Sequence, residues 1–205
     1  MLFYEPSQRD RGVLPHDPFK AIVAPRPIGW MSTLGRDGEV NLAPYSFFNA
    51  VCEAPPMVAF SSAGMKDSAT FAGERGEFVW NMPTWDLRHQ VNESSATVAR
   101  GVNEFELAGL EPAPSRLVAP PRVAASPCAL ECRVVHQLEL HDVDGHPVNQ
   151  HLVVGQVVGV HIDERYVVDG LVDTVAMQPI SRCGYRGDYT VLERLFEMFR
   201  PGVTP

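Results

Sequence analysis

The sequence has few cysteines, few cations and no long apolar run, and each shortage excludes a class of protein. Four cysteines in 205 residues are too few for a disulfide framework. The 17 Lys and Arg stand against 25 Asp and Glu, and the net charge of −8 does not favour nucleic acid or an anionic membrane as a partner. No stretch approaches the ~18 apolar residues of a membrane span, and the first twelve residues lack the apolar core of a signal peptide. We therefore expect a cytoplasmic protein with no nucleic-acid and no membrane partner.

Motifs of several common enzyme classes are missing as well. The chain has no Walker-type phosphate loop, no GxGxxG after a predicted strand, no HExxH and no GxSxG. A doubly wound dinucleotide-binding fold is therefore not expected. Cys128, Cys132 and His136 suggest a metal site, but strand alternation would place them on one face with Leu130 and Val134. We favour a core face with two buried thiols over a zinc site, and we predict no metal.

Short apolar runs separated by turn residues dominate what is present. The 18 prolines and 16 glycines are spread along the chain, so no linker divides it. This pattern is typical of an antiparallel barrel. We predict a mainly β fold with peripheral helices, forming a single domain over residues 1–205, with a hairpin turn at Arg36-Asp37-Gly38. The predicted strands are 22–23, 29–33, 40–44, 57–61, 78–82, 129–140 and 152–162.

Three helices are predicted around this barrel. Asp67 is positioned to cap a helix that ends near Gly76, and Thr84 to cap a second helix that runs to about residue 94. A C-terminal helix over 191–200 is predicted because apolar residues recur at helical spacing before Pro201. Its expected apolar face consists of Leu192, Leu195, Phe196 and Phe199. The proline-rich segment 110–127 is predicted to be an extended crossing loop that contacts another surface.

One segment has the pattern of a phosphate-binding site. A predicted strand ends in Ser61 and Ser62, a glycine-containing turn follows, and Lys66 precedes the helix start at Asp67 and Ser68. Free N–H groups at a helix N-terminus carry partial positive charge, and hydroxyls with a lysine complete a phosphate cradle. The alternative is a simple helix cap beside a surface lysine.

Two other segments carry polar groups near strand ends. Asn41, Ser46 and Asn49 could hydrogen-bond a polyhydroxyl chain or a ring edge, although a turn and a strand with half-buried aromatics explain the same pattern. Trp30 is a residue more often found in a core than in a cofactor wall. His151 stands at the mouth of a late strand and is most simply a structural histidine. Two glycines further along that strand, 155 and 159, would leave room on its face for a flat ligand or a neighbouring backbone.

Several segments together resemble one family. The run RPIGWMSTLGRDGEVNLAPYSFFNAVCEAPPMVAFS, followed by KDS and GEFVWNM, is similar in order and spacing to the N-terminal core of the flavin reductase-like, FMN-binding split-barrel proteins, which include the flavoredoxins. NEFELAGLEPAPS, SPCALECRV and HLVVGQVVGV are similar to the second half of that family. The resemblance covers roughly residues 16 to 190, and it implies an FMN-binding split β-barrel that works as a homodimer with FMN near the subunit interface.

The resemblance also implies roles for individual residues. The isoalloxazine ring would be lined by Trp30, Met31, Ser32, Thr33, Ala43, Pro44, Tyr45 and Ser46. The ring edge or ribityl chain would meet Asn41 and Asn49, and the phosphate would be held by Ser61, Ser62, Lys66 and Ser68 with the adjoining Asp67. Family members often carry Gly-Asp-His before the late strand. Here the sequence is Asn149-Gln150-His151, so the histidine near the nicotinamide or flavin is kept and its neighbours differ.

The implied activity is that of an NAD(P)H-dependent flavin reductase. NADH or NADPH would pass a hydride to the flavin, and the protein would serve as the reductase component of a two-component monooxygenase, with an oxygenase or another redox protein as partner. The alternative is a flavoredoxin-type electron-transfer protein without small-molecule turnover of its own. A third alternative is a flavin-storage or sensor protein.

Overall fold

Antiparallel strands joined by short turns form the centre of the molecule. The structure is a computed structural model, and it describes residues 1–202. The strands are β1 (Arg26–Pro27), β2 (Gly29–Leu34), β3 (Val40–Tyr45), β4 (Phe48–Glu53), β5 (Pro56–Ala63), β6 (Glu77–Asn81), β7 (Pro112–Ala113), β8 (Arg122–Val123), β9 (Cys128–His141), β10 (Pro147–Ile162), β11 (Val167–Val168), β12 (Leu171–Val172), β13 (Ile180–Arg182) and β14 (Tyr189–Val191).

Short helices lie around these strands. They are α1 (Phe19–Ile22), α2 (Asp67–Arg75), α3 (Arg88–Glu93), α4 (Glu104–Leu107) and α5 (Thr174–Met177), with 3₁₀ helices at Pro6–Gln8 and Glu164–Tyr166. The mainly β class with peripheral helices is confirmed. Among residues 1–202, no helix combines the length and the apolar character needed to cross a membrane.

Seven strands form one antiparallel sheet in the order β3-β2-β6-β9-β10-β5-β4. Its two end strands, β3 and β4, follow each other in the chain with only two residues between them, so the sheet curls back on itself as a split barrel. A second sheet of order β1-β13-β14 stands beside it.

Two hydrophobic clusters account for most of the core. One fills the barrel and includes Met31, Phe60, Phe78, Cys132 and Val153, all fully buried. The other packs the outer side of β2 and β3 against α3 and α4. It includes Trp30, Leu42, Val91, Phe105 and Val123. Burial of this apolar surface is the main favourable term for folding.

The strand predictions are confirmed for six of the seven segments, with boundaries shifted by a few residues. The segment 22–23 is wrong, because Ile22 closes the short helix α1. Strand β4 was not predicted. Five of its six residues are exposed, so it lacks the buried apolar alternation by which a strand is recognised in a sequence.

The starts of two predicted helices need correction. Helix α2 ends at Gly76, as predicted, in the left-handed conformation with φ of 72°. Its N-cap, however, is Lys66, and Asp67 is its first residue. Helix α3 begins at Arg88 and not after Thr84, because Thr84 bridges Pro179 as an isolated β pair.

The predicted C-terminal helix over 191–200 is not formed. Val191 closes β14, and residues 192–200 have no regular structure. Leu195, Phe196 and Phe199 are exposed by 67%, 82% and 63%. A helix of ten residues is marginal in water unless its apolar face is packed, and none of the described residues covers this face.

The proline-rich segment 110–127 packs on its own chain. It contains the small β7–β8 hairpin, and its loop is held by a buried carboxylate. Glu131 accepts hydrogen bonds from the backbone N–H groups of Arg116, Leu117 and Val118 at 2.7, 2.6 and 3.1 Å. The same carboxylate lies 2.5 Å from the Nε2 atom of His161. The central loop of this segment is thus anchored on its own chain, and its contact with a further surface stays a prediction.

Candidate functional site

A cleft lies where β3, β5 and the start of α2 meet the loop after α3. Its volume is about 540 Å³, within the ~300–1,000 Å³ range of small-molecule sites. Predicted site residues that line it are Asn41, Ala43, Pro44, Tyr45, Ser46, Ser61, Lys66, Asp67 and Ser68. Residues that sequence reasoning missed are Phe47, Ala63, Ser94, Ser95, Ala96, Thr97, Val98, Arg100, Glu104 and Gln150.

The N-terminus of α2 supplies positive electrostatic potential to this cleft. Lys66 is the N-cap, and its side chain makes no capping hydrogen bond. The first N–H groups of the nine-residue helix therefore have neither an intrahelical partner nor a side-chain cap. Together with the Ser61 hydroxyl and the Lys66 ammonium group, they provide the donors that a phosphate requires.

A second cation lies at the same end of the cleft. The Arg100 Nε atom lies 2.8 Å from a carboxylate oxygen of Asp67, and both residues line the cleft. This pair neutralises the one acidic side chain in the first turn of α2. No local pattern could have identified Arg100, because the fold brings it to α2 from 33 residues further along the chain.

A buried carboxylate fixes the wall formed by β3. Glu104 accepts hydrogen bonds from the Asn41 side-chain amide and the Leu42 backbone N–H, each at 3.0 Å. The side-chain carbonyl oxygen of Asn41 in turn accepts a hydrogen bond from the Ser68 hydroxyl at 2.7 Å. Asn41 and Ser68 are thus bonded to each other within the wall, which orders the cleft before any ligand enters.

The phenol of Tyr45 also borders the cleft. Its ring centroid lies 5.0 Å from that of Phe60. Burial raises the pKa of Tyr45, and this effect outweighs the opposing hydrogen bonds with Ser68 and Ser62. The phenol therefore keeps its proton at neutral pH and remains a hydrogen-bond donor.

Four predicted ring-lining residues on β2 lie in the core instead of the cleft. Trp30, Met31, Ser32 and Thr33 are completely buried. The indole N–H of Trp30 donates to the Ser94 hydroxyl at 2.9 Å, so Trp30 supports the cleft loop from behind. The Ser32 hydroxyl donates to the Pro121 carbonyl.

Three more predicted residues also lie outside the cleft lining. Asn49 is exposed on β4, and the buried Ser62 hydroxyl donates to the Gly64 carbonyl at 2.8 Å. His151 pairs with Ser62 and Glu139 across neighbouring strands. Its neighbour Gln150 lines the cleft instead and donates to the Ser61 hydroxyl at 2.7 Å.

The space above Gly155 is already filled. A Cβ atom at Gly155 would collide with the ring of Phe78, which belongs to the barrel core. The interpretation that this glycine leaves room for a flat ligand is therefore wrong. The missing side chain accommodates an aromatic residue of the same chain.

The split barrel with this cleft is that of a flavin-related oxidoreductase domain. The family model for the flavin reductase like domain matches residues 23–174, and the chain belongs to that family. An uncharacterized protein of Deinococcus radiodurans is 38% identical over 193 residues, covering 88% of this chain and 82% of its own.

Two solved structures illustrate the shared fold. Nitrilotriacetate monooxygenase component B from Bacillus cereus superposes with a TM-score of 0.87 at 29% identity, over 97% of this chain and 98% of its own. Flavoredoxin of Desulfovibrio vulgaris (Miyazaki F) superposes with a TM-score of 0.77 at 23% identity, over 88% of this chain and 93% of its own. At that lower identity, the second likeness concerns the fold alone.

Proposed function

We propose that this protein is an NAD(P)H:flavin oxidoreductase that holds FMN in the cleft beside α2. The observation that carries the proposal is the phosphate cradle. An uncapped helix start, the Ser61 hydroxyl and two cations, Lys66 and Arg100, converge at one end of the cleft. This arrangement occurs in a chain of the flavin reductase like family.

The charges of the cleft suit a phosphate monoester. The chain has a net charge of −8, so a dianionic phosphate must be held by local groups. Arg100 is paired with Asp67, so Lys66, Arg100 and Asp67 together have a net charge of +1. The free N–H groups at the start of α2 add further positive potential for the phosphate. A single compact cradle of this kind favours FMN over FAD, which would also need a place for its adenylate.

The protein's own residues bind and orient the cofactor and take no covalent part. The bound flavin would accept a hydride from NADH or NADPH, and this chemistry belongs to the cofactor. Lys66, Arg100 and the start of α2 anchor the phosphate. Glu104 fixes the β3 wall through Asn41. Phe47, 38% exposed at the cleft, offers an aromatic surface to the ring system.

Reduced flavin made at this site would serve a separate oxygenase. The support is the likeness to component B of a monooxygenase, which is 29% identical and matches nearly end to end. No general acid or base is required of the reductase itself. We accordingly assign no catalytic role to His151, which lies outside the cleft lining.

We also propose that the protein is a homodimer with the cleft near the subunit interface. Strand β4 is an edge strand with five exposed residues, and free strand edges favour pairing with another chain. The exposed apolar side chains of residues 195–199 offer further surface to bury. Light scattering at micromolar concentration should give twice the chain mass of 22.6 kDa, and a monomer would contradict the proposal.

The experiment that tests the activity begins with the purified protein. It should be yellow, release FMN on denaturation and be bleached by NADH or NADPH. With added free flavin, it should then oxidise the nicotinamide through many turnovers. Bleaching without turnover would identify an electron carrier instead of a reductase, and release of mostly FAD would contradict the choice of FMN.

A further inference from the structure

One oxygen of the buried Glu104 carboxylate is left without a protein partner. Glu104 is only 6% exposed and is the first residue of α4, which packs on β3. Its two side-chain hydrogen bonds, from the Asn41 amide and the Leu42 backbone N–H, both end on Oε2. Within residues 1–202, no group donates to the other oxygen, Oε1, and no cation pairs with the carboxylate. Because buried polar groups are nearly always hydrogen-bonded, this oxygen calls for a partner from outside the chain.

The Oε1 atom of Glu104 faces the cleft. In the part of the chain that the structure describes, the fully buried polar side-chain atoms without a partner are Arg26 Nε and Gln90 Oε1. The Oε1 atom of Glu104 is therefore not sealed inside the protein. Since Glu104 lines the cleft and is otherwise almost completely buried, the open space beside this oxygen is the cleft. A ligand can approach it without any rearrangement of the wall.

The position of Glu104 relative to the phosphate cradle indicates which part of a ligand it meets. Glu104, Asn41 and Ser68 form one chain of hydrogen bonds along the cleft wall. Ser68 belongs to the first turn of α2, so Glu104 lies two side chains away from the cradle. In FMN, the group joined directly to the phosphate is the ribityl chain, and its hydroxyl groups are hydrogen-bond donors.

We propose that Glu104 is a specificity-determining residue whose Oε1 atom accepts a hydrogen bond from a ribityl hydroxyl group. The inference rests on the proposed binding of FMN in this cleft. Lys66 and Arg100 line the same cleft but do not pair with Glu104 within residues 1–202, so the oxygen is left for the ligand. A hydrogen bond to an ionised acceptor is roughly twice as strong as a neutral one. The cleft therefore favours flavins with a polyhydroxyl chain over the bare ring system.

The first test compares riboflavin with lumiflavin, which has the same ring system but a methyl group in place of the ribityl chain. Fluorescence titration of the full-length protein measures both affinities. We expect wild type to bind riboflavin at least ten-fold more tightly, because lumiflavin leaves the Glu104 oxygen without a donor. This comparison needs no variant, so it stands even if a substitution at Glu104 disturbs folding. Equal affinities, or no measurable binding of riboflavin, would overturn the proposal.

Glu104→Gln then isolates the charge. Glutamine keeps the shape of the side chain but offers at most a neutral hydrogen bond, so riboflavin should bind roughly five- to ten-fold more weakly. The affinity for lumiflavin should not change. FMN should lose no more affinity than riboflavin, because the removed charge also repels the phosphate. Glu106→Gln removes the same charge from an exposed position on α4 and should change none of the three affinities.

Three results with these variants would overturn the proposal. An equal loss for lumiflavin would show that Glu104 only supports the wall. A loss for FMN without a loss for riboflavin would place its effect at the phosphate, and an equal loss in Glu106→Gln would indicate a general charge effect. Failure of the proposed function is recognised separately. A wild-type chain that binds no FMN overturns both proposals, whereas FMN binding together with an unchanged riboflavin affinity in Glu104→Gln overturns this one alone.

Discussion

At the scale of single residues, Lys66 provides the sharpest test of the cleft. We expect Lys66→Ala to weaken FMN binding roughly ten- to hundred-fold, because one charge-assisted hydrogen bond of about 1.5–3 kcal/mol is lost. Riboflavin lacks the phosphate, so its affinity should change little. Fluorescence titration of wild type and variant with both ligands measures the difference. Equal losses for both ligands, or no loss for FMN, would mean that Lys66 is only a surface lysine beside a helix start.

Glu131 is the second informative residue, and its effect is on stability. Burial alone would raise the pKa of Glu131, but the hydrogen bonds from His161 and from three backbone N–H groups outweigh it and lower the pKa. A carboxyl group whose pKa is lower in the folded than in the unfolded state stabilises the fold at pH values above its unfolded pKa of about 4.3. That contribution is lost as the pH falls through the lower folded value.

The corresponding prediction concerns Glu131→Gln. The variant keeps the shape but loses the charge that three N–H groups share, so we expect it to be less stable by about 1.5–3 kcal/mol at neutral pH. Urea unfolding at pH 7 and again near pH 3 measures this. The difference in unfolding free energy between wild type and variant should narrow at the acidic pH, because Glu131 of the unfolded chain is protonated below its pKa of about 4.3. A difference independent of pH would contradict the charge argument.

What the sequence could predict at this scale depended on local pattern. Ser61, Lys66 and Ser68 stand within one strand–turn–helix segment, and the structure brings them to one cleft. Arg100 and Glu104 line the same cleft but lie more than thirty residues further along the chain, so only the tertiary fold reveals them. Strand alternation places Glu131 on the face of β9 opposite to Leu130 and Cys132. The 110–127 segment covers that face and buries it.

At the scale of elements, β10 contains a position that tests how closely the barrel is packed. Gly155 lies directly against Phe78, and a Cβ atom there would enter the ring. We expect Gly155→Ala to lower the free energy of unfolding by about 1–3 kcal/mol, which is typical of an overpacked core. Phe78→Leu should destabilise the Gly155→Ala variant less than it destabilises the wild type, because the smaller leucine side chain relieves the collision with the alanine Cβ atom.

A matched glycine on α2 serves as the control. At Gly73, a Cβ atom would meet only the amide end of the flexible Gln137 side chain. Alanine also favours a helix by about 1 kcal/mol over glycine. Gly73→Ala should therefore cost far less than Gly155→Ala in the same unfolding experiment. Similar costs at the two positions would show that the approach of Phe78 is not what requires a glycine.

Elements with a buried side were predictable, and elements without one were not. Strands β9 and β10 were expected because runs of apolar and β-branched residues mark them. Strand β4 was missed because its side chains are mostly exposed. The segment 191–200 shows the opposite error, since its apolar spacing is helical but no described part of the chain packs against it.

At the scale of the whole molecule, the barrel class followed from the alternation of short strands and turns, whereas the closure of the sheet did not. Closure depends on β4 returning beside β5, through the two-residue link after Tyr45. The resemblance to flavin reductases supplied that expectation, and the fold confirms it.

The cleft also links ligand binding to the stability of the whole chain. A ligand that binds only the folded state stabilises it by mass action, by about 2.7 kcal/mol at a hundred times its Kd. For a chain of this size, that corresponds to a rise in Tm of roughly 5–10 °C. We expect FMN to give this rise, with the Tm increasing with the logarithm of the FMN concentration.

In Lys66→Ala, the same rise should need roughly ten to a hundred times more FMN, because only the affinity has changed. Scanning calorimetry at a fixed protein concentration measures both curves, so that any dimerisation contributes equally. If FMN and riboflavin raised the Tm equally at equal concentrations, the phosphate would contribute nothing, and the cradle at the start of α2 would not be the anchor of the cofactor.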